Sequence, residues 1–145
     1  MGRLDFASGR RLYLDTAPII YAIEEHDVYW LHLQPIWTAF TAGEVQIVTS
    51  EITLLETLVR PLRDRDSKLA DTYNELLTGS EVFLIPISTD ILRAAAELRA
   101  KHNLKTPDAI HAATAITSGC QYLIANDNGF RRITTIDVII LDDLI

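Results

Sequence analysis

Apolar residues recur along the chain in two rhythms. Short, dense runs at Arg11–Leu14, Val45–Val48, Val82–Ile85, Tyr122–Ala125 and Val138–Leu141 predict five strands. Between them the spacing lengthens to that of helices. Thr16 is placed as a cap, with Pro18 in the first turn of a helix reaching about Glu25. A second helix is predicted from Tyr29 to Ala42, stopping at Gly43. Ser50 caps a third to about Leu62, with Ile52, Leu55, Leu58, Val59 and Leu62 as one apolar stripe along its buried face and Pro61 expected to kink or stop it. Residues 66–77 read as helical. Ser88 caps a helix to about His102, with Ile91, Leu92, Ala95 and Leu98 expected inward. Thr106-Pro107 opens another, ending near Gly119. A short helix is predicted before the last strand.

Strands alternating with helices imply an α/β fold of three layers, a mainly parallel five-stranded sheet with helices on both faces. Ligands in such folds bind at the C-terminal strand ends, near the switch in strand order. Residues 1–10 are polar and expected to fray, and 11–145 read as one domain.

Composition narrows this reading. Of 145 residues, 48% are hydrophobic, enough for a core. The apolar runs fall short of the roughly 18–20 residues that span a bilayer. The basic N-terminus leads into no apolar stretch, so it does not read as a signal peptide. A lone cysteine, Cys120, excludes a disulfide framework or a cysteine zinc site within the chain. Cytoplasmic location is the expectation. The net charge of -7 opposes a nucleic-acid partner. Setting four acids aside as a metal site leaves 16 acids against 13 bases, which weakens the objection.

Four acids stand at telling places. Asp15 directly follows the first strand and Asp127 the fourth; in a sheet ordered 3-2-1-4-5 these strands are neighbours, and both carboxylates meet at one crevice. Glu56 lies mid-helix, about 100° from Leu55, at the edge of the buried face. Asp108 sits in the first turn after Thr106-Pro107. Each also has an ordinary reading: a cap or turn for Asp15, a turn for Asp127 in Asn126-Asp127-Asn128-Gly129, an ion pair with Arg60 for Glu56, dipole complementation for Asp108. Together they are a hard-oxygen set suited to Mg²⁺ or Mn²⁺, ions that make water a nucleophile and stabilise a phosphate under attack.

The segments LDTAPIIY, SEITLLE, TPDAIHAATA and ANDNGF resemble the four acidic motifs of the PIN domain, and are most similar to its VapC-type toxin branch. The resemblance spans about Arg11 to Leu141. It implies a Mg²⁺- or Mn²⁺-dependent endoribonuclease with Asp15, Glu56, Asp108 and Asp127 at the family's acidic positions. It also implies an RNA substrate and an inhibiting VapB-type antitoxin. A homodimer is expected. Ala17 and Ala125 depart from the pattern, standing where many relatives carry Asn or Ser and Thr or Ser. A housekeeping RNA-processing nuclease, or a PIN-like interaction module of weak activity, remains an alternative.

His111 follows Asp108 by three residues on one helix face and is read as a packing residue satisfied by a neighbour, outside the candidate set. Arg60, Arg63, Arg65 and Lys68 read as an RNA-binding segment or a solvated face. Trp30 and Trp37 are expected in the core or a subunit interface. Rival enzymes fit less well: a haloacid-dehalogenase phosphatase needs an Asp where Ala17 stands, a receiver domain needs a late Lys, and neither GxxxxGK nor GxGxxG occurs.

Overall fold

A computed structural model describes residues 6–145. Its five strands are β1 (Arg11–Leu14), β2 (Gln46–Ser50), β3 (Phe83–Ile85), β4 (Tyr122–Ala125) and β5 (Asp137–Ile140). They form one sheet ordered β3-β2-β1-β4-β5, and every pairing is parallel. The helices are α1 (Thr16–Ile23), α2 (Trp30–Thr41), α3 (Glu51–Arg63), α4 (Ser67–Thr78), α5 (Thr89–His102) and α6 (Thr106–Thr117). A short 3₁₀ turn over Asn128–Arg132 occupies the place of the expected short helix.

Burial on both faces explains why the central strands read as unbroken apolar runs. Successive residues of a strand point to opposite sides. Tyr13, Val48, Leu123 and Ala125 enter one core with Ile91, Ala95, Ala109 and Ala113 of α5 and α6. Leu12, Leu14, Ile47 and Ile124 enter the other with Ile19, Leu33 and Tyr73 of α1, α2 and α4. Among the described residues no helix is long and apolar enough to cross a membrane.

Of the ten N-terminal residues expected to fray, 1–5 lie outside the described residues. Phe6 packs on Tyr122, with ring centroids 4.9 Å apart, and the Gly9 N–H donates to the Glu44 carbonyl at 2.7 Å.

Four local expectations are corrected. The buried face of α3 is Thr53, Thr57 and Pro61; Leu55, Val59 and Leu62 are exposed, and only Ile52 and Leu58 of the expected stripe pack against the cores. Thr53 can go inside because Thr49 donates to the Leu14 carbonyl at 2.8 Å and shares a 2.7 Å hydrogen bond with Thr53, so these hydroxyls are satisfied and cheap to bury. Leu92 is likewise exposed, while Ile91 and Ala95 carry the inner face of α5. Thr16 is the first residue of α1 rather than its cap, and its hydroxyl points across to α3. Pro61 lies within α3, which runs two residues further to Arg63. Trp30 and Trp37 are partly buried against the second core.

Candidate metal centre

The chain leaves β1 to α1, α2 and β2 on one side, and returns from β3 through α5 and α6 to β4 on the other. The strand order therefore reverses between β1 and β4, which opens a crevice beyond their C-terminal ends. The Asp15 N–H extends the ladder by donating to the Ile124 carbonyl at 3.0 Å, which fixes the crevice wall. Asp15, Glu56, Asp108 and Asp127 all line this crevice, a cavity of about 300 Å³, with Thr16, His111 and Asn126 beside them.

Tertiary contacts bear on three of the ordinary readings, while Asp108 does sit in the first turn of α6. Asp15 precedes α1 but its side chain makes no cap bond to the helix. Arg60 pairs with Asp64, at 3.7 Å, and not with Glu56. Glu56 instead accepts from the Thr16 hydroxyl at 2.7 Å. Asp127 does serve its turn, accepting from the Gly129 N–H at 2.8 Å. That bond leaves its carboxylate at the crevice. A Cβ built on Gly129 would lie 3.1 Å from Asp127 Oδ1 and 3.7 Å from Asp108 Oδ2. Both acids thus lie beside Gly129, where a side chain would press on Asp127 and touch Asp108.

His111 is the residue that sequence reasoning left out, and it sits at the centre. It is 1% exposed. Its Nε2 lies 3.1 Å from Asp15 Oδ1, 3.0 Å from Glu56 Oε1 and 3.3 Å from the Thr16 hydroxyl. Carboxylates accept only, so Nε2 carries a hydrogen. In the neutral ring Nδ1 then accepts from the Tyr13 phenol, 2.6 Å away and fully buried. The signal available in sequence was its place three residues after Asp108, the spacing that puts both on one helix face. The partners themselves come from β1, α1 and α3, which no spacing reveals.

The charges are unevenly settled. His111 holds Glu56 below the usual carboxylate range by hydrogen bonding, and Thr16 assists. Burial raises Asp15 by more than the attraction of His111 lowers it, and Glu56 and Asp127 add weaker repulsion. Burial also raises Asp108, and repulsion from Asp127 and Asp15 helps push it to about 6. Crowded carboxylates with, among the described residues, no Lys or Arg lining the crevice are a donor set for a hard divalent ion. Among the described residues no three His, Cys, Asp or Glu side chains stand as a ready-made ion cage. Mg²⁺ does not need one, because it keeps several waters and takes one or two carboxylates. The donor set fits such an ion.

A family model for the PIN domain matches residues 12–136. Among curated proteins none is significantly similar in sequence. Solved structures are similar over almost the whole chain. VapBC2 from Rickettsia felis, bound to a DNA fragment from its promoter, is 21% identical, with 89% of this chain and 97% of that one covered at a TM-score of 0.68. A toxin–antitoxin complex from Klebsiella pneumoniae is 25% identical, with 90% and 97% covered at 0.65. VapC20 of Mycobacterium tuberculosis, a toxin that cleaves the sarcin–ricin loop, is 20% identical, with 83% and 92% covered at 0.68.

Proposed function

This chain belongs to the PIN domain family, and from that premise we propose that it is a divalent-metal-dependent endoribonuclease and the toxin of a toxin–antitoxin pair. One observation carries the reading: four carboxylates from four separate segments line a single crevice at the switch point of the sheet, with no Lys or Arg among the described residues lining it. Asp15, Glu56, Asp108 and Asp127 would hold Mg²⁺ or Mn²⁺. A bound ion would supply a more acidic water and neutralise charge developing on the phosphate.

The chain's own residues do the rest. Asp108 and Asp127, crowded around Gly129, present oxygens to the open side of the crevice. His111 and Thr16 orient the Glu56 carboxylate, and His111 also reaches Asp15, so these two acids meet an ion in fixed positions. Buried Tyr13 fixes the imidazole from behind. Ala17 lines the crevice without a polar group, and the Thr16 hydroxyl is the nearer partner to Glu56.

The toxin reading draws on the VapBC2 and Klebsiella complexes among the similar structures. A VapB-type antitoxin would place a basic side chain among the four acids, as a guanidinium fork suits carboxylates. Leu55, Val59 and Leu62 on α3, each 44–64% exposed, offer apolar surface for that partner or for a second copy of the chain. A cytoplasmic location and a single domain over 11–145 belong to the same proposal.

Single-stranded RNA incubated with Mn²⁺ tests it. The expected products carry a 5′-phosphate and a 3′-hydroxyl, and EDTA should stop their formation. Cleavage that survives EDTA, or 2′,3′-cyclic phosphate ends, would overturn the mechanism. Recovery of only free protein when the native operon is expressed would count against the toxin role. No cleavage, with a Mn²⁺-induced rise in melting temperature intact, would leave a metal-binding interaction module.

A further inference from the structure

Asp108 and Asp127 line a second cavity besides the acidic crevice. It measures about 440 Å³, and its other walls include Arg99, Lys105 and Arg132. We propose that this basic pocket is a phosphate subsite, holding the backbone of an RNA strand one step along from the bond that is cut. The inference rests on the nuclease reading and adds to it the residues that seat the substrate.

The state of these cations supports the assignment. Three arginines elsewhere are neutralised by acids: Arg131 makes a two-pronged contact with Asp143, at 2.8 and 2.7 Å, and Arg60 and Arg93 pair with Asp64 and Asp90. Among the described residues, Arg99, Lys105 and Arg132 form no ion pair with a carboxylate. Arg99 Nε donates to the Leu104 carbonyl at 2.8 Å. Arg132 Nη1 donates to the carbonyls of His102 and Asn103, at 3.2 and 3.1 Å. Neutral carbonyls orient a guanidinium without cancelling its charge, and its remaining N–H groups stay available for a phosphate. Lys105 attracts Asp108 electrostatically but makes no hydrogen bond or ion pair with it.

Three such cations share one pocket in a chain of net charge -7. Arg99 and Arg132 alone could be read as closing the end of α5, where basic groups favour the helix dipole. Lys105 has no part in that, and Arg132 arrives from beyond β4 to reach the same pocket. A polyanion accounts for all three, with a phosphate at the acidic crevice and its neighbour in the basic one.

Fluorescence anisotropy of a labelled single-stranded RNA, titrated with KCl in EDTA, tests the subsite apart from cleavage. Lys105→Gln and Arg132→Gln should each weaken binding about five- to tenfold near 0.1 M salt. Each should also flatten the slope of log affinity against log salt by about 0.7, the amount expected for one lost phosphate contact on a single strand. Arg131→Gln, whose charge Asp143 already occupies, should leave binding and slope unchanged. With Mn²⁺ present, the loss in the two pocket variants should fall on KM more than on kcat. Lys105 makes no side-chain bond, so Lys105→Gln guards against a trivial folding failure at Arg132. Wild-type affinity in both pocket variants, an equal loss in Arg131→Gln, or no RNA binding by wild type would each overturn the subsite. Lost antitoxin affinity with RNA binding intact would assign the pocket to the protein partner and overturn it too. RNA binding that depends on Lys105 and Arg132 without any cleavage would count against the nuclease reading and leave the subsite standing.

Discussion

Asp15 and Glu56 occupy a half of the acidic crevice where the carboxylates share donors, whereas Asp108 and Asp127 lie beside Gly129 and repel each other. In the first half, His111 reaches both acids, Thr16 donates to Glu56, and Tyr13 backs the imidazole. In the second, the turn N–H of Gly129 is the donor to Asp127, and Asp108 is pushed to about 6. The difference teaches a division of labour. The first half is organised by the protein itself, and the second is left for something positively charged from outside.

The largest effect that could break this comparison is on cleavage. Asp15→Asn and Asp127→Asn should each lower kcat/KM on the order of a thousandfold, since metal stabilisation of the transition state is worth several kcal/mol. If either variant cleaves RNA near the wild-type rate in Mn²⁺, that acid belongs to the scaffold and not to the metal centre.

Stability without metal should separate the halves next. His111→Ala strips Asp15 and a buried phenol of this partner and leaves Glu56 with Thr16 alone, and should cost about 3 kcal/mol in urea melts with EDTA present. Asp108→Asn in the same assay should be neutral or stabilising, because it relieves repulsion. Equal destabilisation by both changes would erase the distinction drawn here.

Metal should then close the gap. At a hundredfold excess of Mn²⁺ over Kd, wild type should gain about 2.7 kcal/mol, because the ion binds the folded state alone. Asp108→Asn and Asp127→Asn should lose most of that gain in thermal melts. A full gain in both variants would move the ion away from the open half.

The smallest effect is on pH dependence, where Glu56 and Asp108 should have opposite signs, Asp15 being raised like Asp108. Asp108 holds its proton to about 6 in the folded state, above its ordinary value of 3.8. The unfolded chain releases that proton first, so metal-free stability at this site falls as pH rises from about 4 to about 6 and then levels off. Glu56 is held below its ordinary value, so its contribution is present above that value and is lost as pH falls. In EDTA, Asp108→Asn should therefore gain more over wild type at pH 7 than at pH 4.5, and Glu56→Gln should lose more at pH 7. Identical pH profiles in the two variants would mean that the crevice does not divide in this way.

The sequence by itself determined the sheet and the place of the crevice. Strand–helix alternation implies a parallel sheet, its order came with the resemblance to the PIN domain, and parallel strands buried on both faces announce themselves as dense apolar runs. Asp15 and Asp127 were legible because each follows a strand end directly, and the sheet order makes those strands neighbours. Glu56 was legible from its motif, but its partner was not. Arg60 at i+4 is the local choice, and the contacts that prevail come from Thr16 and His111, 40 and 55 residues away. The inner face of α3 was misread for the same physical reason. Periodicity ranks faces by hydrophobicity, yet Thr53 is buried beneath Leu14 and Thr49 by hydroxyl bonds that exist only once β1, β2 and α3 have met. Tertiary structure alone decided that His111 joins two acids, that Gly129 lets two more crowd together, and that Arg99, Lys105 and Arg132 share a pocket, since each is a meeting of side chains from segments that local chemistry keeps apart.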